Sequence, residues 1–176
     1  MEIIETKLQG AYLIKPQELR DERGFFARVS DSDVFAQYGI NFKIAQSSIS
    51  FNHKRGTLRG MHYQAEPYSE GKLVRCTMGS LTDVIVDLRP ASTSYMKWIA
   101  VMLTADNRYT LWVPPGFAHG FQTLEHNTEV LYQITEFYHP EAARGLRWND
   151  PAFGIEWPLS DPILSQRDRE FPDFIP

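Results

Sequence analysis

Several segments of the chain carry one titratable side chain among apolar neighbours. His62 follows Arg59 in LRGMHYQ, Lys72 opens KLVRCTM, His119 lies in AHGFQTL and Tyr132 lies in TEVLYQITEFY. Histidine acts as a base near neutral pH, an ammonium stabilises a developing enolate oxygen, and a tyrosine hydroxyl donates a proton. If these groups meet, they predict abstraction of a proton next to a ketone and reprotonation from the opposite face.

Each of these residues also has a structural interpretation. A histidine within a strand is commonly a satisfied core residue, and a strand tyrosine commonly packs with its hydroxyl bonded. Lysine at the start of a strand, as at Lys72, is commonly solvated. The chemical interpretation therefore depends on whether the side chains share one pocket.

Short runs rich in β-branched and aromatic residues recur along the chain, and turn-forming segments separate them. The runs are 11–14, 42–51, 57–64, 72–78, 81–88, 97–104, 109–113, 118–124 and 128–138. Strands of this length and spacing predict a mostly β protein, an antiparallel sandwich or barrel. A large barrel of this kind can use its interior to bind a ligand.

Two other segments have a different pattern. Residues 31–38 predict a helix with Ser30 or Asp31 as its N-cap and Gly39 at its end. The proline-rich tail after Trp148 predicts irregular chain with a helical turn. Its aromatic residues, Phe153, Trp157 and Phe171, are expected to pack onto the barrel.

Alternation of side chains across a strand predicts which residues face the interior. Lys72, His119 and Tyr132 each share a strand face with apolar residues. His62 and Arg59 have opposite parity, so they reach one pocket only if Gly60 bends or bulges the strand.

The bulk properties limit the function classes. At 176 residues the chain has the length of one domain, 1–176. A net charge of −4 with dispersed Lys and Arg does not indicate nucleic-acid binding, and the apolar runs are too short to span a membrane. The start of the chain lacks the apolar core of a signal peptide. The single cysteine, Cys76, excludes an intramolecular disulfide and fits a cytoplasmic protein, with the thiol buried in a strand.

The segment PPGFAHGF, residues 114–121, contains Pro-x-Gly-x-x-His. This pattern resembles the second signature of the cupin family of β-barrels. Metal-binding cupins carry two histidines separated by one residue in their first signature, and Gln64 stands where the second would be. An amide is a poor substitute for imidazole as a ligand of zinc or iron, so no metal or other cofactor is expected.

The ordered motifs resemble those of the RmlC-like nucleotide-sugar epimerase family, whose type is dTDP-4-dehydrorhamnose 3,5-epimerase. The matching segments are 21–28, 58–64, 71–89, 111–121, 130–141, 147–158 and 163–168. The resemblance implies a metal-free cupin jelly roll, or double-stranded β-helix, with short helices. It further implies a homodimer in which N-terminal strands cross between subunits.

The resemblance also implies roles for individual residues. His62 matches the base, Asp168 its partner carboxylate, Tyr132 the acid and Lys72 the group at the keto oxygen. The implied activity inverts C3 of a nucleotide-linked 4-keto-6-deoxyhexose, and inversion of C3 alone or of both C3 and C5 is left open by the sequence. The substrate-binding positions implied in the same way are Arg23, Phe26, Arg28, Gln46, Ser48, Arg59, His119, Tyr138 and Arg167.

Three positions depart from the family pattern. Arg28 and Ala143 stand where glutamates are usual, and Ser48 stands where asparagine is usual. All three belong to the set that contacts nucleotide or sugar, whereas the four chemical groups are intact. The prediction is retained chemistry with an open choice of nucleotide and sugar.

Three alternatives remain open from the sequence. A ketoisomerase of the same superfamily would move the carbonyl between C3 and C4, and product analysis separates it from an epimerase. A nucleotide-sugar binding cupin would lack turnover. A metal-dependent cupin oxygenase would contain iron, which elemental analysis detects.

Overall fold

The structure, a computed structural model, describes residues 1–175 and consists mainly of antiparallel strands. The two short helices are α1 (Ser32–Gln37) and α2 (Gln166–Arg169). The strands are β1 (Glu2–Glu5), β2 (Tyr12–Lys15), β3 (Glu18–Asp21), β4 (Gly24–Ala27), β5 (Gln46–Asn52), β6 (Leu58–Gln64), β7 (Lys72–Met78), β8 (Ser80–Asp87), β9 (Trp98–Thr104), β10 (Thr110–Val113), β11 (Phe117–Thr123), β12 (Thr128–Ile134) and β13 (Ala143–Gly145).

Two sheets face each other in the jelly-roll arrangement predicted from the sequence. One has six strands in the order β1-β2-β10-β7-β12-β5, and the other has five in the order β13-β6-β11-β8-β9. Strands β3 and β4 form a separate two-stranded hairpin. Neighbours along the chain are therefore often in different sheets, which brings distant motifs together.

The main core lies between the two large sheets. Val74, Cys76 and Val130 contribute from the six-stranded sheet, and Leu81 and Phe121 contribute from the five-stranded sheet. Each of these side chains is at most 1% exposed. Burial raises the pKa of the Cys76 thiol to about 11, so this cysteine is an inert core residue, as predicted.

The helix and the tail follow the predicted pattern. The Asp31 side chain accepts hydrogen bonds from the N–H groups of Asp33 and Val34 and caps α1, and Gly39 follows with a φ of +71°. In the tail, Phe153 and Trp157 pack in a second cluster that includes Val84 of the five-stranded sheet.

Other elements differ from the sequence prediction. Strands β1, β3, β4 and β13 were not predicted, and β5 begins only at Gln46 although the predicted run began at 42. The missed strands are three or four residues long, which is too short to show a clear period. Strands β1, β3 and β13 mix charged with apolar residues, and β4 has the sequence GFFA. Within residues 1–175, neither helix is long and apolar enough to cross a membrane.

Candidate active site

A cavity of about 430 Å³ is lined by residues of both large sheets. It brings together eight of the residues selected from the sequence, namely Gln46, Ser48, Arg59, His62, Lys72, His119, Tyr132 and Tyr138. The remaining lining residues are Ile49, Ser50, Glu70 and Ile134. The pocket on which the chemical interpretation depended is therefore present.

Gly60 explains how Arg59 and His62 reach the same pocket. Along β6, Arg59 pairs with Phe121 and His62 pairs with His119, so one extra residue is accommodated in β6. Gly60 has a φ of +143°, and a Cβ there would lie 2.5 Å from the Cα of Gly120. Only glycine fits this conformation and this close approach, and the predicted bulge is confirmed.

His62 and Asp168 form a pair on the five-stranded side of the pocket. His62 Nε2 lies 2.7 Å from Asp168 Oδ1, and the N–H of Gly60 donates to Asp168 Oδ2 over 3.3 Å. The imidazole is 41% exposed to the pocket, whereas the carboxylate is 6% exposed. Burial opposes ionisation of Asp168, but the contacts with His62 and Gly60 outweigh it and hold the carboxyl pKa below its usual value.

Helix α2 positions this carboxylate. The Ser165 hydroxyl accepts a hydrogen bond from the N–H of Asp168 and caps the helix. Phe171, just after α2, packs against Gly145, where a Cβ would lie 2.2 Å from its ring. Its ring also meets that of His62 edge to face at 5.8 Å. The tail therefore supplies both a charge partner and a wall for the histidine.

Tyr132 lies on the opposite side of the pocket, on β12 of the six-stranded sheet. Its ring meets His119 edge to face at 5.9 Å. Burial raises the pKa of the Tyr132 phenol well above its usual value, the Asp83 carboxylate raises it further, and Arg59 opposes both. The phenol is consequently a neutral group and a potential proton donor.

Lys72 lies on the same side of the pocket as Tyr132, at the start of β7. Its side chain is only 9% exposed, and its Nζ lies 2.7 Å from Glu70 Oε1. The solvated interpretation of this lysine is therefore wrong.

His119 has its own carboxylate. Its Nε2 contacts Oδ1 of Asp83, and both side chains are buried. The other oxygen, Asp83 Oδ2, has no hydrogen-bond partner among the described residues. Asp83 therefore fixes the ring of His119 and leaves negative charge near Tyr132.

Sequence reasoning missed Asp83 and Glu70. The signal for Asp83 was a carboxylate in the middle of the apolar strand LTDVIVDL, whose other aspartate, Asp87, lies at the strand end. For Glu70 it was the spacing Glu-Gly-Lys before β7, since residues two apart in extended chain share a face.

Gln64 does not face the pocket with His62. Its amide nitrogen donates to the carbonyls of Tyr68 and Phe137, and its oxygen accepts from the N–H of His139 over 2.6 Å. Gln64 thus ties two loops together. Among residues 1–175, no three His, Cys, Asp or Glu side chains are arranged to hold a metal ion.

Five of the selected residues do not line this pocket. One of them, Asp168, lies behind His62 and contacts it, and the other four lie farther away. Arg23 and Phe26 belong to the β3–β4 hairpin, Arg28 follows it, and Arg167 lies on α2 with its guanidinium 5.6 Å from the ring centroid of Phe171. Phe26 is 68% exposed. Arg28 forms an ion pair with Asp31 at 2.8 Å, beside a smaller cavity of about 250 Å³.

Of the three departures from the family pattern, only Ser48 reaches the pocket, where it pairs with Tyr132 across β5 and β12. Ala143 pairs with Gln64 in β13 and does not line the pocket.

The model of the dTDP-4-dehydrorhamnose 3,5-epimerase family matches residues 5–175. The chain belongs to this family. The enzyme of that name from Shigella flexneri is 42% identical over 169 residues, which cover 96% of this chain and 93% of the relative.

Solved structures of the epimerase family share the fold. The Bacillus anthracis enzyme with TDP and pyrophosphate bound has a TM-score of 0.94, 39% identity, and coverage of 98% of this chain and 99% of its own. The Legionella pneumophila 3,5-epimerase in complex with dTDP-4-keto-L-rhamnose has a TM-score of 0.87 and 36% identity, covering 95% of this chain and 89% of its own. The protein is thus an enzyme of the isomerase class, an epimerase of a nucleotide-linked 4-keto-6-deoxyhexose.

Proposed function

We propose that this epimerase inverts both C3 and C5 of a dTDP-linked 4-keto-6-deoxyhexose, with His62 as base and Tyr132 as acid. The observation that carries the proposal is that these two groups lie on facing sheets, on β6 and β12, and line one pocket. A sugar ring between the sheets would present one face to the imidazole and the other to the phenol. Inversion of a carbon needs proton removal and return on opposite faces, which this arrangement provides.

The first step is loss of the proton from the carbon next to the ketone. His62 takes the proton, and the C–H electron pair moves to form the enolate, whose negative charge develops on the keto oxygen. Asp168, 2.7 Å from His62 Nε2, stabilises the imidazolium that results. We assign Lys72 to the enolate oxygen, where an ammonium stabilises charge that is largest in the transition state.

The second step returns a proton to carbon. Tyr132 donates from the opposite face, the enolate collapses to the ketone, and the phenolate regains a proton from solvent while His62 loses one. Because burial keeps the Tyr132 phenol neutral, the donor is present throughout the neutral pH range. The substrate is proposed to be bound around these groups by five other pocket residues, namely Arg59, His119, Tyr138, Gln46 and Ser48.

The test is an incubation of the enzyme with dTDP-4-keto-6-deoxyglucose in heavy water. We expect deuterium at C3 and C5 and the appearance of the inverted sugar, both followed by NMR. Matched incubations with UDP-, GDP- and CDP-linked sugars report on the nucleotide. Absence of deuterium at both carbons with every nucleotide would refute the proposal, and deuterium at C3 alone would restrict it to one centre.

We further propose that the enzyme is a homodimer in which the β3–β4 hairpin crosses to the partner. The hairpin exposes Leu19 and Phe26 by 63% and 68%, and Arg23 at its turn is outside the pocket that contains His62. Strands β1 and β2 pair with each other within the chain, and β2 also pairs with β10. Among the N-terminal strands of residues 1–175, β3 and β4 alone do not pair with a strand of either large sheet. The nucleotide of a substrate held by the other subunit would then be bound by Arg23, Phe26 and Arg28 of the hairpin. Arg167 of α2 would also bind the substrate.

Complementation tests this exchange. Arg23→Ala and His62→Ala each impair a different part of the site, so each homodimer should show little activity at low substrate concentration. If Arg23 serves the partner's pocket, a mixed dimer has one complete site, and equal mixing should restore about a quarter of wild-type activity. No recovery after subunit exchange, which light scattering and a size tag would verify, would mean that Arg23 acts on its own pocket or not at all.

A further inference from the structure

Glu70 is a pocket carboxylate to which the proposed chemistry assigns no role. Its Oε1 lies 2.7 Å from Lys72 Nζ, and the two side chains are only 12% and 9% exposed. Within residues 1–175, no other carboxylate approaches Lys72 within 4.0 Å. Both side chains line the cavity that contains His62 and Tyr132.

The local backbone places Glu70 and Lys72 on the same side. The N–H of Gly71 donates to Thr135 Oγ1 over 2.8 Å, and the carbonyl of Gly71 accepts from the N–H of Thr135 over 3.0 Å, which extends the β7–β12 pairing by one residue. A Cβ at Gly71 would lie 2.5 Å from the Trp112 ring, so the backbone is held between Thr135 and Trp112. Side chains on either side of a held, extended residue point the same way.

We infer that Glu70 is a positioning residue, which holds the Lys72 ammonium where the keto oxygen of the substrate binds. The inference rests on the proposed function, because it gives Lys72 its role. A lysine side chain has four flexible carbons, and an acceptor oxygen fixed by the backbone restricts its rotamers before the substrate arrives. Pre-organisation of this kind lowers the activation barrier because the donor needs no reorganisation during reaction.

The orientation and the charge of Glu70 act in opposite directions. Its acceptor oxygen aims Lys72, whereas its negative charge weakens the stabilisation of a nearby enolate. An amide of the same shape keeps the acceptor and removes the charge. The inference therefore predicts the order of kcat as glutamine at or above glutamate, and both above alanine.

Three variants test this order in the deuterium-exchange assay, with kcat and KM measured separately. Glu70→Ala should lower kcat by about 10- to 100-fold, the range for a misplaced catalytic group, with KM changed by less than about threefold. Glu70→Gln should retain the wild-type kcat or exceed it. Glu66→Ala is the matched control, because Glu66 is an exposed carboxylate of the same loop outside this pocket and should leave kcat unchanged.

Thermal unfolding of each variant shows whether a loss of activity reflects loss of the fold instead of loss of positioning. Glu70→Ser is a second variant, with the same expected loss of kcat as Glu70→Ala. A folded Glu70→Ala enzyme with kcat within about twofold of wild type would overturn the positioning role. A Glu70→Gln enzyme as slow as Glu70→Ala would also overturn it, because the charge and not the acceptor would then matter. If the wild type itself shows no exchange, the proposed function fails, and the role of Glu70 fails with it.

Discussion

His62→Ala should abolish deuterium exchange at both C3 and C5. The variant lacks the only group assigned to remove the proton on its face of the sugar, and general-base catalysis typically contributes about 10²- to 10⁴-fold. A single base facing one side of the pocket predicts that both carbons lose exchange together. NMR of the substrate in heavy water measures both positions in one experiment.

Two further variants make this result specific. His126→Ala removes an exposed histidine outside the pocket and should leave exchange at the wild-type rate. Asp168→Asn retains the size of the side chain but cannot balance the charge of the imidazolium, so it should slow exchange without abolishing it. Exchange at C5 that persists in His62→Ala would mean that a second base serves that carbon.

Several residues that line this pocket could be predicted from the sequence, because side chains alternate across a strand and those that share a face with apolar residues point to the interior. Lys72, His119 and Tyr132 each share a face with core residues, and all three line the cavity. Arg59 has the opposite strand parity to His62, so a regular strand would point the two side chains to different faces. Gly60, next to Arg59, allows the bulge that brings both to the pocket. The mismatch between the strand parity of Arg59 and its expected place in the pocket therefore predicted the bulge at Gly60.

Other features depend on contacts between distant segments, which no local pattern reveals. Asp83 and His119 are 36 residues apart, and their contact follows from the pairing of β8 with β11. Asp168 reaches His62 only because the tail folds back across the five-stranded sheet. It was found through family resemblance, since a carboxylate in a short polar helix has no periodic signal of its own.

The hairpin shows a different limit. Its strands β3 and β4 are four residues each, and charged and aromatic residues pair across them. The proposed strand exchange would cover their exposed side chains with the partner subunit. Sequence patterns predict burial within one chain. Phe26 is apolar but exposed in this chain, and the sequence has no pattern that predicts such exposure.

Tyr132→Phe should separate proton loss from inversion. The variant keeps the ring that packs against His119 but lacks the hydroxyl that returns a proton on the far face. His62 can still remove the proton, exchange it with solvent, and return deuterium to the same face. We therefore expect exchange to fall by less than about tenfold while inversion falls by about 100-fold or more, within the range for loss of a general acid.

The measurement is the ratio of deuterium incorporated with retained configuration to deuterium in the inverted product. Tyr63→Phe is the control, because Tyr63 belongs to the second cluster and does not line the pocket. Its ratio should match that of the wild type.

Since the Tyr132 phenol has a raised pKa, the wild-type ratio should also stay constant up to about pH 10, the usual range for tyrosine ionisation. Inversion at the wild-type rate in Tyr132→Phe would show that the second proton comes from another donor, and the assignment of acid to the six-stranded sheet would then be wrong.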